Sequence, residues 1–394
     1  MKGVQNPLKI TKIPGIKRVK TRTVPFPESC YFGSMKHTII LFALPLSLFS
    51  QSLQHDLDSI MRQTFTPNQP GGGLLIAEGN QILYQNAIGL RDLESKKKLT
   101  VRSNFRMASV TKQFTAAAIL ILEKQGKLSL SDPIRTFFPE FAPVGNSITI
   151  GQLLNHSSGI WAYESVMPDD LTEQLSDADV LNLIKDIDKT YFPPGTSYRY
   201  SNSGYCLLAL LVERASGQSF AKFLKQEIFQ PAGMKRTRVY TSDARIRKRA
   251  YGFARDAQGQ VIFSDQSLTS ATKGDGGVYT SLEDYQKWNE VLLANQFFDL
   301  EYLLRQTGTS LPDGSSYSLG WFYRDTPENG MVMFHSGSTC GFSNLVIRLP
   351  KQGIAIACFS NIANNHKAFQ PVLDYLTKAG ILQTDIWDWH DLTD

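Results

Sequence analysis

Residues 105–122 read FRMASVTKQFTAAAILIL, a polar entry that runs straight into an apolar stretch too continuous for a one-sided helix. The run from Ala116 to Leu122 predicts a helix over about Ser109 to Gln125, buried on most faces, with Gly126 as its stop. Ser109 and Lys112 stand three apart at its start, and that spacing puts both side chains on one helix face. A serine hydroxyl is a poor nucleophile until a neighbour takes its proton, and a desolvated lysine one turn away can do so. The helix N-terminus adds partial positive charge, and the Ser109 N–H is placed to donate to a developing oxyanion. Taken alone, so short a pattern reads more readily as an N-cap serine beside an incidental lysine.

Working outward, residues 73–84 (GLLIAEGNQILY) place a Gly-Asn turn between two apolar runs, which predicts a β-hairpin and the start of an antiparallel sheet. Residues 130 to 300 read as helices broken by Pro/Gly loops, including 150–154, 177–187, 203–215, 220–229 and 282–293. Strands return at 320–323, 331–334, 342–349 and 353–359, and an amphipathic helix covers about Gln370 to Lys378. The first and last strands are expected to share one sheet.

Two further segments change the weight of the first. Residues 194–205 (PGTSYRYSNSGY) form a turn-rich loop that leads into an apolar helix and supplies the Tyr200 phenol and the Asn202 amide. A nearby ammonium favours a phenolate, so Tyr200 held against Lys112 would serve as general base, and Asn202 would orient Lys112 and a substrate carbonyl. Residues 334–338 (FHSGS) close an apolar strand; their small side chains let a substrate backbone approach the strand edge, and the Ser338 N–H offers a second oxyanion donor.

In this order and at these separations, the three segments resemble the serine β-lactamase and penicillin-recognising hydrolase superfamily, which is known for S-x-x-K, S-D-N and K-T-G. With Tyr200-Ser201-Asn202 in the middle and His335-Ser336-Gly337 last, the chain is similar to the branch holding class C β-lactamases, D-alanyl-D-alanine carboxypeptidases and family VIII esterases. Residues 149–159 (TIGQLLNHSSG), 274–281 (GDGGVYTS) and 317–321 (YSLGW) look similar as well, and the likeness covers about Leu53 to Ile381. It implies an α/β (α+β) fold of β-lactamase/transpeptidase type, an antiparallel sheet flanked by helices plus an all-helical lobe. The sheet lobe would take about 53–135 and 310–394, the helical lobe about 136–309.

The resemblance also implies roles. Ser109 would be the acylated nucleophile, and Lys112 and Tyr200 the proton-transfer pair. The N–H groups of Ser109 and Ser338 would form the oxyanion hole, while Asn202, His335, Ser336 and Gly337 would contact substrate, with no cofactor. The expected function is an exported serine hydrolase working through an acyl-enzyme on a D-amino-acid peptide, carboxypeptidase-like, or on a short-acyl ester. The alternatives are a β-lactamase or a penicillin-binding sensor that does not turn over. Where β-lactamases of this branch commonly have lysine, His335 is mostly cationic only below about pH 6.5. Activity on an anionic substrate should therefore fall relative to a neutral ester between about pH 5.5 and 7.5.

Composition narrows the partners. The 394 residues carry a formal charge of +5, but residues 1 to 52 hold eight of the basic side chains against Glu28 alone, leaving 33 basic and 35 acidic in the rest. The folded part therefore offers no net field for nucleic acid, and the expected partner is a small-molecule or peptide substrate, cell-wall peptide included. Lys36 and the apolar run 39–49, followed by Ser50-Gln51-Ser52, read as a signal peptide over 35–52 behind a disordered upstream extension, 1–34. The run is too short for a stable membrane span, so the chain is expected to be periplasmic or secreted, with interfacial anchoring as the competing reading. Of the three cysteines beyond the leader, buried free thiols are expected, with a Cys340 to Cys358 bridge as the alternative. His156, His335 and His366 are too scattered for a metal site, no G-x-S-x-G is present, and residues 274–277 lack the third glycine of a dinucleotide loop. The basic stretch 245–249 reads as a solvated helix face.

Overall fold

The computed structural model describes residues 44–382, with side chains from residue 52; the extension 1–34, most of the leader and the tail 385–394 lie outside the described residues. In chain order the helices are α1 (Leu44–Thr64), α2 (Lys112–Lys124), α3 (Ile150–Leu154), α4 (Asp177–Ile184), α5 (Asn202–Ser216), α6 (Phe220–Leu224), α7 (Leu282–Leu293), α8 (Leu300–Thr307) and α9 (Gln370–Lys378). One large sheet is built from β1 (Gly72–Glu78), β2 (Gln81–Ile88), β3 (Thr309–Ser310), β4 (Ser316–Ser318), β5 (Trp321–Thr326), β6 (Gly330–Thr339), β7 (Phe342–Leu349) and β8 (Ile354–Ser360). Its order is β3-β4-β5-β6-β7-β8-β1-β2, antiparallel throughout, so the first hairpin and the last strands do share one sheet.

Alternation along the strands feeds two cores. Leu74, Ile76, Phe334, Ile347 and Ile356 pack with Leu53, Leu57 and Met61 of α1 and with Val372, Leu373 and Leu376 of α9. Leu75, Ala77, Met333, Val346 and Ala357 face the other way, onto α2, α5 and α7. In α2 every residue from Lys112 to Leu120 is buried, as the apolar run predicted. Each of Phe114, Ile119 and Leu122 contributes about 1.5–3 kcal/mol by burial. The middle of the chain is largely helical but also holds short strands at Arg238–Val239, Phe253–Arg255, Val261–Phe263 and Val278–Thr280.

Three local expectations are corrected. Ser109 does not open the α-helix: a 3-10 turn spans Ala108–Thr111 and α2 begins at Lys112. The 335–338 segment lies inside a ten-residue strand rather than at the end of one. Residues 245–249 form no helix; Arg249 folds inward onto Asp265 at 2.5 Å and onto the Tyr279 hydroxyl at 3.0 Å. Cys206, Cys340 and Cys358 are all free thiols.

Candidate active site

The chain enters the site through Ala108, which adopts φ 48°. A left-handed alanine is uncommon and costs energy, and here it turns a short strand (Phe105–Arg106) into the 3-10 turn that presents Ser109. Strand β6 crosses this turn so closely that a Cβ on Gly337 would sit 2.3 Å from the Met107 carbonyl oxygen. Only glycine permits that approach, and it sets the residues around Gly337 beside Ser109. The β5 ladder ends at the Phe322–Phe334 pair, and residues 335–339 of β6 continue in register with β7.

Lys112 is fully buried, and its Nζ donates to Ser109 Oγ at 3.1 Å, Asn202 Oδ1 at 2.9 Å and the Asp275 carbonyl at 3.1 Å. Three donors meet three acceptors drawn from separate segments. Asn202 is the first residue of α5, fixed by the Ser201 cap onto the Gly204 N–H, and its Nδ2 donates to Glu164 Oε1 at 2.9 Å. Tyr200 lies against Lys112 through its ring: Nζ is 4.8 Å from the ring centroid, a cation–π geometry. Its hydroxyl has no hydrogen-bond partner among the described residues.

His156 sets the direction of the 200–202 loop. It has φ 59°, is fully buried, and its Nδ1 accepts the Ser201 N–H at 3.1 Å, which leaves the proton on Nε2. Its ring packs 4.3 Å from Tyr200 and 4.4 Å from Tyr317, centroid to centroid. Burial, with the Lys112 charge second, pushes its pKa well below the histidine norm. The sequence marked the 149–159 stretch as familiar but assigned His156 no role; nor did it single out Glu164.

His335 overturns the expectation of a titrating cation in the pocket. Its ring is 1% exposed. Nδ1 donates to the Ser336 carbonyl at 2.5 Å, so Nε2 accepts from the Tyr317 hydroxyl at 3.2 Å. Burial, then the Lys112 charge, lowers its pKa to about 3. The ring is therefore neutral across the range in which it was expected to change charge. Of the other expected substrate contacts, Ser336 is half-buried, Gly337 buried and Ser338 exposed, all on β6.

A serine on a 3-10 turn, bonded to a buried lysine that opens a helix packed against a large antiparallel sheet, defines a serine hydrolase of the penicillin-recognising type. The chain belongs to the Beta-lactamase family, whose model matches residues 57–380. It is 30% identical over 343 residues to "Penicillin-binding protein 4*" of Bacillus subtilis (strain 168), a match covering 82% of this chain and 75% of that protein. Among solved structures it is similar to a penicillin binding protein from Bacillus halodurans, at TM-score 0.72 and 26% identity over 81% of this chain and 98% of that one. In fold alone, at 21% identity, it is similar to D-amino acid amidase from Ochrobactrum anthropi SV3, at TM-score 0.67 over 82% of this chain and 99% of that one. Among the described residues no helix is long and apolar enough to cross a membrane.

Proposed function

We propose that the chain is an exported hydrolase that opens an amide or ester through an acyl-enzyme on Ser109, with D-amino-acid amides and peptides or short-acyl esters as its substrate class. The observation that carries this reading is the three-point hold on Lys112, with Ser109 Oγ as one of the three points. A neutral amine keeps two N–H bonds and one lone pair. Asn202 Oδ1 and the Asp275 carbonyl can only accept, so they take both N–H groups, and the lone pair is left for the Ser109 O–H. Oγ attacks the substrate carbonyl carbon while its proton passes to Nζ, and the oxyanion is held by the N–H groups of Ser109 and Ser338. Collapse breaks the C–N or C–O bond, and the proton leaves with the amine or alcohol, with the Tyr200 hydroxyl as relay. Water then repeats the attack on the acyl-enzyme.

Electrostatics select among substrates. With a neutral His335 and with Glu164 beside Asn202, neutral or ammonium-bearing substrates are favoured over those that end in a carboxylate. That weighs against the β-lactamase alternative. The names of the relatives, a penicillin-binding protein and a D-amino acid amidase, support an amide carbonyl as the target.

The test is intact-protein mass spectrometry after short and long exposure to a penicillin, to short-chain esters and to D-amino acid amides, with Ser109→Ala beside the wild type. The expected result is an adduct or turnover that Ser109→Ala lacks. Equal reaction by both proteins would sink the assignment, and a penicillin adduct that never decays without turnover of any substrate would favour the sensor. Export is read by sequencing the N-terminus of the secreted or periplasmic protein, expected at about Leu53.

A further inference from the structure

Two buried carboxyl groups that the mechanism above does not use meet at the 273–277 loop, whose Asp275 main-chain carbonyl is bonded to Lys112. Asp275 holds Nζ through its main-chain carbonyl, while its side chain is nine-tenths buried and its Oδ1 has no hydrogen-bond partner among the described residues. Asp177, in the first turn of α4, is 2% exposed. It accepts the Lys273 N–H on both oxygens, at 3.0 and 3.1 Å, and the Gly274 N–H at 3.2 Å. Oxygens of the two carboxyl groups and Cys206 Sγ lie within 4.8 Å of one another.

The loop between them is held at several points. Thr115 Oγ1 of α2 donates to the Gly274 carbonyl at 2.6 Å, and a Cβ on Gly274 would lie 2.1 Å from the Tyr205 carbonyl of α5. The loop cannot move without disturbing α2, α4 and α5, the helices that carry Lys112, Asp177 and Asn202. Facing the pair are Tyr163 and Glu164 from the loop after α3, Cys206 of α5, Lys273 beside it, and Lys112. Burial and the neighbouring Asp275 hold the Asp177 carboxyl up to about 7, and burial keeps the Cys206 thiol protonated. Two carboxylates this close in a dry site cannot both carry charge without strong repulsion.

We propose that Asp177 keeps its proton beside Asp275 and that the two, so placed, act as positioning residues that keep the 273–277 loop, and with it the carbonyl bonded to Lys112, in place. When the proton leaves, two charges face each other, the loop is pushed off α4, and the carbonyl contact at Nζ loosens. The effect on catalysis rests on Lys112 being the proton acceptor of Ser109; the pairing itself does not.

The sign of the stability effect follows from linkage. A carboxyl that stays protonated in the fold but ionises in the unfolded chain makes the fold lose stability as pH rises from about 4 to about 7, after which the loss levels off. The experiment compares full-length wild type, Asp177→Asn and Asp275→Asn by Tm from pH 4 to 8, by acylation rate with a neutral ester, and by the infrared stretch of a protonated carboxyl. Both variants should gain Tm relative to wild type steadily across that window, whatever their absolute stability. Wild-type acylation should fall about tenfold from pH 6 to 8, as the protonated fraction of one carboxyl at about 7 does, while Asp177→Asn stays within about twofold. The wild-type infrared band should be present at pH 6, disappear by pH 8, be missing from Asp177→Asn and fade at lower pH in Asp275→Asn than in the wild type. Parallel Tm curves, or no protonated-carboxyl band at pH 6, would overturn the pairing. So would a Zn2+-induced rise in Tm that both variants lose, which would assign the cluster to a cation. If Ser109 is not the nucleophile, the acylation arm falls silent while the other two still decide. If a variant fails to fold, the wild-type band alone decides.

Discussion

Lys112 and His335 are both buried nitrogen bases within the same aromatic surround, and the fold treats them in opposite ways. Lys112 meets three acceptors, one of them a main-chain carbonyl, so every proton it carries has a partner. His335 meets one carbonyl on Nδ1 and one hydroxyl on Nε2, a pair that suits a neutral imidazole and leaves no partner for a second N–H. Burial works against charge at both positions. What separates them is the number of acceptors built around each. The difference teaches that the reactive corner is built to receive and release a proton, whereas the strand wall is built around a neutral ring.

The sharpest way to break that contrast is to remove the corner. Ser109→Ala should lower kcat/KM by at least about 10³-fold on whichever amide or ester the wild type hydrolyses, measured by steady-state kinetics; a loss under tenfold would move the reactive centre elsewhere. Asn202→Ala takes one acceptor from Lys112 and strands Glu164, and kcat should fall about 10²-fold with KM nearly constant. A fall confined to KM would reduce Asn202 to a substrate contact.

On the wall, the ratio of kcat/KM for a carboxylate-bearing and a neutral substrate should stay flat between about pH 5.5 and 7.5, because His335 is already neutral there. The lowered pKa of His335 shows instead in stability. Its contribution is fully present above the ordinary histidine value, about 6.5, and is lost as pH falls toward 3, worth a few kcal/mol. His335→Gln should flatten the acid limb of the Tm curve, and an unchanged limb would mean that the ring is accessible. The smallest effect belongs to Glu164→Gln. Glu164 is exposed, so preference for ammonium-bearing over neutral substrates should drop only about two- to fivefold and fade with salt.

Much of this was legible in the chain itself. The S-x-x-K spacing, the apolar run behind it, the Gly-Asn hairpin and the order of the strands are local patterns, and α2 and the shared sheet followed from them. Spacing reports which residues share a face but not what will be packed over that face. That is why His335 looked like a titrating pocket residue until Tyr317 and Phe322 were seen against it. Arg249 misled in the same way: five residues rich in charge read as a wet helix, whereas Asp265, sixteen positions on, draws one of them inside. The contacts of Glu164 with Asn202 and of Asp177 with residues 273 and 274 span 38 and more positions and leave no periodic trace. In α1 the signal was present, since Leu53, Leu57 and Met61 recur at helical spacing, but it adjoins the apolar run 39–49, which masks where one pattern ends and the next begins.

The carbonyl at position 275 belongs to every amino acid. No side-chain substitution deletes it, so an alanine scan across this region would score the lysine and both of its side-chain neighbours and pass silently over the third support. A survey of tolerated mutations would likewise draw one corner of the tripod as blank. Only an edit to the main chain itself, such as replacing the 275–276 amide by an ester to weaken the acceptor, would reveal how much of the lysine's placement that single oxygen holds.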